Sequence, residues 1–293
     1  PHPRDLNPTR LIDSSVAASQ HLNSRVIAPM VRKGWLDNGP TGTGRGRGGE
    51  PFVQVSWKEA IELVAGELKR VYGEFGPSSI YGGSYGWASA GRFHQAQATL
   101  KRFLGLAGGF TNSVGNYSNG AAEMLMPYVL GSGQAVNGPL TSWQSIEENT
   151  DLLLSFGGIP LKNTQINYGG LPEHDDEVWQ ERLSRARLNI ICVSPVKDDA
   201  AGLTAAEWIP IRPNTDTALM LGLAFEIYKS DSYDKEFLNL YTVGFDKFSA
   251  YLTGKTDGQP KDANWAANIC DIPVPQIQLL AKKLSSGRTM ITA

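Results

Sequence analysis

Three side chains between positions 81 and 131 could take part in chemistry: Tyr85, Trp87 and Ser118. Tyr85 and Trp87 belong to a glycine-containing turn after a strand-like segment, and Ser118 lies on a second turn between two helical segments. A phenol O–H and an indole N–H can both donate a hydrogen bond to a substrate oxygen, and a serine oxygen can bind a hard metal ion. By residue type alone, however, the aromatics are also typical of a core, and the serine is typical of a helix N-cap.

A second group of candidate residues follows two apolar, strand-like runs later in the chain. They are Lys162, Asn163, Val193, Ser194 and Pro195, and Asp216 stands at the start of a helical segment. In open α/β sheets, ligands bind outside the carboxyl ends of the strands, where a polar residue commonly contacts a ribose or a base. Two simpler explanations stay open, because Lys162 could be an ordinary surface lysine and Asp216 could only stabilise the helix dipole.

The segments that must position these residues alternate between strand and helix. In order, they are a helix with the capping box Ser56-Trp57-Lys58-Glu59, a strand and loop at 151–160, an amphipathic helix at 177–187 with Val178, Trp179 and Leu183 inward, a strand at 188–195, a short strand at 208–212, apolar and amphipathic helices at 214–229 and 274–285, and a strand at 288–293. This alternation predicts an α/β fold with a doubly wound, mostly parallel sheet and flanking helices.

The same segments predict three regions. Residues 1–55 are expected to be irregular, 56–150 to form an α/β region that carries Ser118 and the two aromatics, and 151–293 to form a Rossmann-like dinucleotide-binding region. Since the final strand has no following partner in the sequence, we expect the chain to be a piece of a longer protein.

Composition argues against several classes of function. The net charge is −2 with acidic and basic residues interleaved, which is not the concentrated basic surface of a nucleic-acid-binding protein. No apolar run approaches the roughly 18 residues of a membrane span. Cys192 and Cys270 are too few for a four-cysteine iron–sulfur cluster within this chain. The segment Gly44–Gly49 matches a bare G-x-G-x-x-G pattern, but no strand precedes it and no helix follows it.

The segment 81–131, with its aromatic turn and the sequence Asn116-Tyr117-Ser118-Asn119-Gly120, resembles the active-site region of the dimethyl sulfoxide reductase family of molybdopterin oxidoreductases. The similarity is to the branch that reduces dimethyl sulfoxide, trimethylamine N-oxide and biotin sulfoxide. It covers nearly the whole chain from about Val26 onward, but only the smaller, N-terminal part of a full-length relative. The resemblance therefore implies that the chain is part of a larger multidomain molybdoenzyme.

The resemblance also implies a role for each candidate residue. Ser118 would be the protein ligand of molybdenum, and Tyr85 and Trp87 would line the substrate pocket. The cofactor would be molybdenum bis(molybdopterin guanine dinucleotide), without an iron–sulfur cluster in this chain. The residues that contact this cofactor would be Trp87, Ser118, Lys162, Asn163, Val193, Ser194, Pro195 and Asp216. Relatives often carry an acidic or amide residue at the position of Ser194.

The expected reaction is the reduction of an S-oxide or N-oxide by oxygen-atom transfer, with dimethyl sulfoxide, trimethylamine N-oxide, biotin sulfoxide or methionine sulfoxide as substrate. The electron donor would be a c-type cytochrome or a cytosolic reductant, and the compartment would be periplasmic or cytoplasmic accordingly. The remainder of the same polypeptide would complete the site. Two alternatives stay open: a nicotinamide-dependent dehydrogenase, and a non-catalytic α/β fragment, because function does not follow from fold.

Overall fold

Two units make up the described part of the chain. The computed structural model describes residues 3–5, 7–8, 17–19, 21–41, 47–84, 95–115, 117–133, 138, 140–165 and 173–293. One unit, called the sheet unit below, consists of Pro1–Asn7, Asn137–Gln165 and Glu173–Ala293, and the other, called the N-terminal unit, consists of Pro8–Val136 and Ile166–Pro172. The candidate residue Ser118 belongs to the N-terminal unit, and the candidate strand-end residues belong to the sheet unit.

The N-terminal unit contains short strands and longer helices. In chain order they are β1 (Met30–Arg32), α1 (Lys33–Asn38), β2 (Phe52–Gln54), α2 (Trp57–Phe75), β3 (Tyr81–Gly82), α3 (Ala96–Ala107), β4 (Thr111–Asn112) and α4 (Gly120–Leu130). Strands β1 and β2 are antiparallel, and β3 and β4 are parallel. The structure thus differs from the irregular segment predicted for 1–55. The reason is a contact between distant residues: Glu50 accepts hydrogen bonds from the Arg32 guanidinium at 3.1 Å and from the Gly34 N–H at 2.8 Å.

Helix α2 begins where its capping box predicts. The Ser56 hydroxyl accepts from the Glu59 N–H at 3.2 Å, which satisfies one of the unpaired donors of the first turn. Gly76 follows the last helical residue with a φ of 75°, a conformation that glycine adopts without steric cost. Tyr72 in this helix donates its phenol hydrogen to the Gly109 carbonyl at 2.7 Å. That bond ties α2 to the segment between α3 and β4, which leads towards Ser118.

The sheet unit is built on four parallel strands. Its elements are α5 (Trp143–Asn149), β5 (Leu152–Phe156), α6 (Asp176–Arg185), β6 (Asn189–Val193), β7 (Glu207–Ile209), α7 (Asp216–Lys229), α8 (Lys235–Tyr241), α9 (Phe245–Leu252), α10 (Ala263–Cys270), α11 (Val274–Leu284) and β8 (Thr289–Thr292). The strand order is β7-β6-β5-β8, and every neighbouring pair is parallel. From β5 the chain adds β6 and then β7 on one side, and it afterwards places β8 on the other side of β5. In such sheets the carboxyl end of the first strand is the topological switch point, where ligands bind.

Helices cover both faces of this sheet, which confirms the doubly wound arrangement. Leu152, Leu154 and Phe156 of β5 pack in one core cluster with residues of α7, α10 and α11. Leu153 points the opposite way and packs in a second cluster with Ile146 of α5 and Leu183 of α6. Because side chains alternate along a strand, a strand covered on both faces must be apolar throughout. The sequence Leu-Leu-Leu-Ser-Phe of β5, buried at every position, has this property.

Two details differ from the sequence-based expectation. Helix α5 belongs to the sheet unit, so the units divide before the predicted boundary at 150, because Ile146 is 4% exposed and packs against the sheet. In α6, Leu183 is buried as predicted, but Val178 is 56% exposed and the prediction for it is wrong. Gln180 takes the inward position instead. Positions 180 and 183 share one face of a helix with 3.6 residues per turn, and position 178 lies about 200° around the helix from 180.

Candidate functional site

The loop that follows β5 begins with two glycines in the left-handed region. Gly157 has a φ of 81° and Gly158 a φ of 74°. The Gly157 N–H donates to the Val193 carbonyl at 2.9 Å, and the Ile159 N–H donates to the Asp199 carbonyl at 3.0 Å. These bonds join the carboxyl end of β5 to the end of β6 and to the short 3-10 helix Lys197–Ala200 that follows it. The loop is therefore fixed in place at the switch point of the sheet.

The two glycines have different surroundings. A Cβ on Gly158 would lie 2.5 Å from the Asp199 Cβ and 2.7 Å from the Asp199 carbonyl oxygen, closer than atoms can approach. A Cβ on Gly157 would meet no atom within 4 Å. Gly158 is thus required for the close approach of two backbone segments, whereas Gly157 borders open space. This open, exposed space beside the backbone at a strand end, called the cradle below, is a place that a ligand could approach.

Three polar side chains meet beside this loop. The Ser194 hydroxyl donates to the Asp199 Oδ2 at 2.7 Å and accepts from the Val196 N–H at 3.1 Å. The Lys162 ammonium lies 3.8 Å from the Asp199 Oδ1. The Lys162 side chain is 71% exposed, and the Asp199 side chain is 15% exposed. The Lys162 ammonium is therefore exposed to solvent, and the Asp199 carboxylate beside it is nearly buried.

A buried glutamine of α6 hydrogen-bonds to the loop that follows β5. Gln180 of α6 is fully buried, and its amide nitrogen donates to the Ile159 carbonyl at 3.1 Å. Its side-chain oxygen has no hydrogen-bond partner within the described part of the chain, and it points at Gly202, where a Cβ would collide with it. The sequence-based reasoning identified neither Gln180 nor Asp199. Asp199 could have been found from the sequence, because two adjacent acids, Asp198 and Asp199, follow closely after the end of a predicted strand.

The predicted strand-end residues differ in their accessibility. Asn163 ends the 3-10 helix Leu161–Asn163 and is exposed, as is Pro195. Val193 and Ser194 are fully buried, Val193 within the core cluster behind the sheet. Asp216 is half-buried in the first turn of α7, the helix that follows β7, and its carboxylate forms no hydrogen bond with the described residues. Lys162, Asn163, Pro195 and Asp216 are thus reachable by a ligand in this structure.

His174, two residues before α6, pairs with Asp5 near the start of the chain. The His174 Nδ1 lies 2.7 Å from the Asp5 Oδ2, and its Nε2 lies 3.1 Å from the Gln165 carbonyl. Because both partners are acceptors, the ring satisfies both only when both of its nitrogens carry hydrogen. The hydrogen bond with Asp5 accordingly raises the pKa of His174 against the opposing effect of burial.

The two thiols of the sheet unit are packing residues. Cys192 and Cys270 are both fully buried and both free. Burial raises the pKa of the Cys192 thiol to about 11, and the negative charge of Asp199 adds to this shift. Such a thiol is protonated at neutral pH and is a poor metal ligand.

Ser118 lies on the turn before α4. It is exposed, and its hydroxyl forms no hydrogen bond with the described residues. The N-cap position of α4 belongs to Asn119, so the simpler explanation of Ser118 as a helix cap does not hold. An oxygen without another partner is one that could serve as a donor to a hard metal ion. The aromatic residues Tyr85 and Trp87 lie outside the described residues.

Two features of the described residues bear on the kind of site. No three His, Cys, Asp or Glu side chains within the described ranges converge as they would to hold a metal ion. None of the helices described is both long enough and apolar enough to cross a membrane.

Known proteins resemble this chain over almost all of its length. It is 44% identical over 270 residues to a dimethyl sulfoxide/trimethylamine N-oxide reductase of Cereibacter sphaeroides, with 92% of this chain and 33% of that protein covered. It is 45% identical over 292 residues to a biotin sulfoxide reductase of the same organism, with 100% and 39% covered. The chain thus spans 33% and 39% of the lengths of these two curated relatives.

A solved structure and a family model complete the comparison. The fold is similar to that of acetylene hydratase from Pelobacter acetylenicus, with a TM-score of 0.56 and 22% identity, covering 99% of this chain and 35% of the other. At that identity the likeness concerns the fold alone. The family model described as molybdopterin oxidoreductase matches residues 25–291, which is most of the chain. The chain belongs to the molybdopterin oxidoreductase family.

Proposed function

We propose that this chain is the N-terminal part of a molybdenum enzyme that reduces S-oxides or N-oxides by oxygen-atom transfer. The observation that carries the proposal is the identity of 44% and 45% to reductases named for dimethyl sulfoxide, trimethylamine N-oxide and biotin sulfoxide. The family membership argues against the nicotinamide-dependent alternative. The family membership and the named reductase relatives also argue against a merely structural fragment.

The cofactor proposed is molybdenum bis(molybdopterin guanine dinucleotide). Each unit taken by itself offers groups that suit such a cofactor. In the N-terminal unit, Ser118 has an unbonded oxygen. In the sheet unit, Gly157 borders the cradle and Lys162 presents an exposed ammonium for phosphate oxygens. Asn163 and Asp216 offer an amide and a carboxylate for the nucleotide. Since both cysteines are buried, we also propose that the chain itself binds no iron–sulfur cluster.

Each residue then has a defined task. When bound, the cofactor supplies two-electron redox chemistry at molybdenum, and the protein positions it and tunes its electronics. Ser118 provides the protein oxygen that holds the metal. Tyr85 and Trp87 donate hydrogen bonds to the substrate oxygen and so orient it. Lys162 neutralises the phosphates that anchor the cofactor at the sheet edge.

The remainder of the polypeptide is the proposed partner of this chain. Helix α4, next to Ser118, exposes Met124, Leu125, Tyr128 and Val129 by 70%, 59%, 86% and 69%. A contiguous apolar surface of this kind marks a site that another protein segment covers. We propose that the missing two thirds of the enzyme cover it and thereby enclose the metal. The electron donor proposed is a c-type cytochrome or a cytosolic reductant.

The experiment is a Ser118→Ala substitution in the full-length parent enzyme. Loss of a residue that only orients a metal ligand costs about 10–100-fold in metal affinity or activity, so we expect loss of the ligand itself to cost at least about 100-fold in turnover of sulfoxide or N-oxide. Ser113→Ala is the matched control, because Ser113 is an exposed serine on the same connection and should change neither property. Unchanged molybdenum content together with unchanged turnover in Ser118→Ala would refute the proposal.

A further inference from the structure

We propose that Asp199, positioned by Ser194, is the carboxylate of this chain that binds the ribose hydroxyls at the nucleotide end of the cofactor. The inference rests on the proposed function and assigns a contact that the sequence-based reasoning gave to Ser194. In NAD-binding sheets of this strand order, an acidic residue that follows the glycine-rich turn by about 20 residues binds the ribose. Here the second strand is β6, and position 194 at its end carries a hydroxyl instead of an acid.

Ser194 itself is closed to a ligand. It is fully buried, and its hydroxyl both donates to Asp199 and accepts from the Val196 N–H. Its carbonyl accepts from the Trp208 indole N–H at 2.9 Å, and its N–H donates to the Ile209 carbonyl at 3.2 Å. A ligand could reach the hydroxyl only by displacing the bond to Asp199. The role left to Ser194 is to orient that carboxylate.

Asp199 retains the capacity to accept further hydrogen bonds. An ionised carboxylate has about four acceptor positions, and Ser194 occupies one of them. At 3.8 Å the Lys162 ammonium contributes charge but no hydrogen bond. The Asp199 side chain is 15% exposed, and its neighbour Gly158 has no side chain that could cover it. A vicinal diol, which offers two O–H donors, complements this acceptor.

The neighbouring cation indicates which class of diol the site would take. Lys162 is largely exposed and keeps its ammonium donors for an anion beside the carboxylate. A carboxylate would repel a phosphate that lay directly against it, whereas a ribose there places its phosphates further along the ligand. A carboxylate and an ammonium side by side, next to the cradle at Gly157, therefore suit a ribonucleoside diphosphate. Guanosine diphosphate is the matching probe for the proposed cofactor.

The test is a calorimetric titration of the chain with guanosine diphosphate and with its 2′,3′-dideoxy analogue. Because a hydrogen bond to a charged group contributes about 1.5–3 kcal/mol, we expect the wild-type chain to bind the diol form at least about tenfold more tightly. Asp199→Asn should reduce this ratio to about one, and Ser194→Ala should reduce it partly by releasing the carboxylate. Asp198→Asn is the matched control, because Asp198 is the exposed neighbouring acid and should leave the ratio unchanged.

Each outcome decides the inference separately from the proposed function. Equal affinity for the two nucleotides in the wild-type chain, or a wild-type ratio in Asp199→Asn, would overturn the assignment of Asp199. The same holds if the chain binds neither nucleotide. The ratio of the two nucleotide affinities in the wild-type chain decides the inference even if a variant fails to fold. Circular dichroism would reveal such a failure. None of these results bears on Ser118, whose role is measured by molybdenum content.

Discussion

The two adjacent glycines of the loop after β5 allow the packing at the switch point to be tested by a matched pair of substitutions. In Gly158→Ala the new methyl group would lie 2.5 Å from the Asp199 Cβ and 2.7 Å from its carbonyl oxygen. In Gly157→Ala it would meet no atom within 4 Å. Both positions have a positive φ, 74° and 81°, so both variants share the cost of that backbone conformation.

The expected magnitudes follow from these two contributions. A left-handed conformation costs an L-residue about 1–2 kcal/mol, and this is the whole effect that we expect for Gly157→Ala. Overpacking adds about 1–3 kcal/mol in Gly158→Ala, because the atoms that clash belong partly to the backbone and cannot rotate away. The free energy of unfolding should therefore fall by about 2–5 kcal/mol in Gly158→Ala.

Urea denaturation of the two variants, followed by circular dichroism, measures the difference. Subtracting the loss of unfolding free energy in Gly157→Ala from that in Gly158→Ala removes the shared cost of the backbone conformation. The difference is the cost of the clash between the new methyl group and Asp199. Nucleotide titration provides a second measurement: Gly157→Ala should weaken binding although it disturbs stability less, since its methyl group enters the cradle. Equal destabilisation by the two substitutions would show that the loop does not pack against Asp199 as described, and the reasoning would fail.

Two further predictions concern the sheet unit. Leu183→Ala should lower the free energy of unfolding by about 2–5 kcal/mol, because Leu183 is fully buried. Val178→Ala, on the exposed face of the same helix, should change it by no more than about 0.5 kcal/mol. Urea denaturation measures both values. The pKa of His174 is higher in the folded than in the unfolded chain, so its pair with Asp5 contributes to the free energy of unfolding. This contribution should be complete below the unfolded pKa of about 6.5 and should be lost as the pH rises through the higher folded pKa. Thermal unfolding across that pH range should show this loss, and His174→Gln should abolish the pH dependence; an unchanged profile in the variant would exclude the pair with Asp5 as its cause.

Local patterns in the sequence predicted most of the elements. The cap at Ser56 and the apolar run of β5 depend on residues close together in the chain, so they could be recognised without any partner. The alternation of strand and helix predicted the parallel sheet for the same reason. The exposed hydroxyl of Ser118 is consistent with the resemblance that selected it, while its role as a metal ligand stays a prediction.

The tertiary structure decided which side chains the site can use. Only the strand order, which returns β8 to the side of β5, shows that the loop at Gly157 lies at the switch point. Only the packing of that loop on the segment after β6 shows that the Ser194 hydroxyl is occupied and that the Asp199 carboxylate lies between Ser194 and Lys162. These features arise from contacts between residues far apart in the chain. Local propensity contains no information about such contacts, since they depend on how buried surfaces meet in three dimensions.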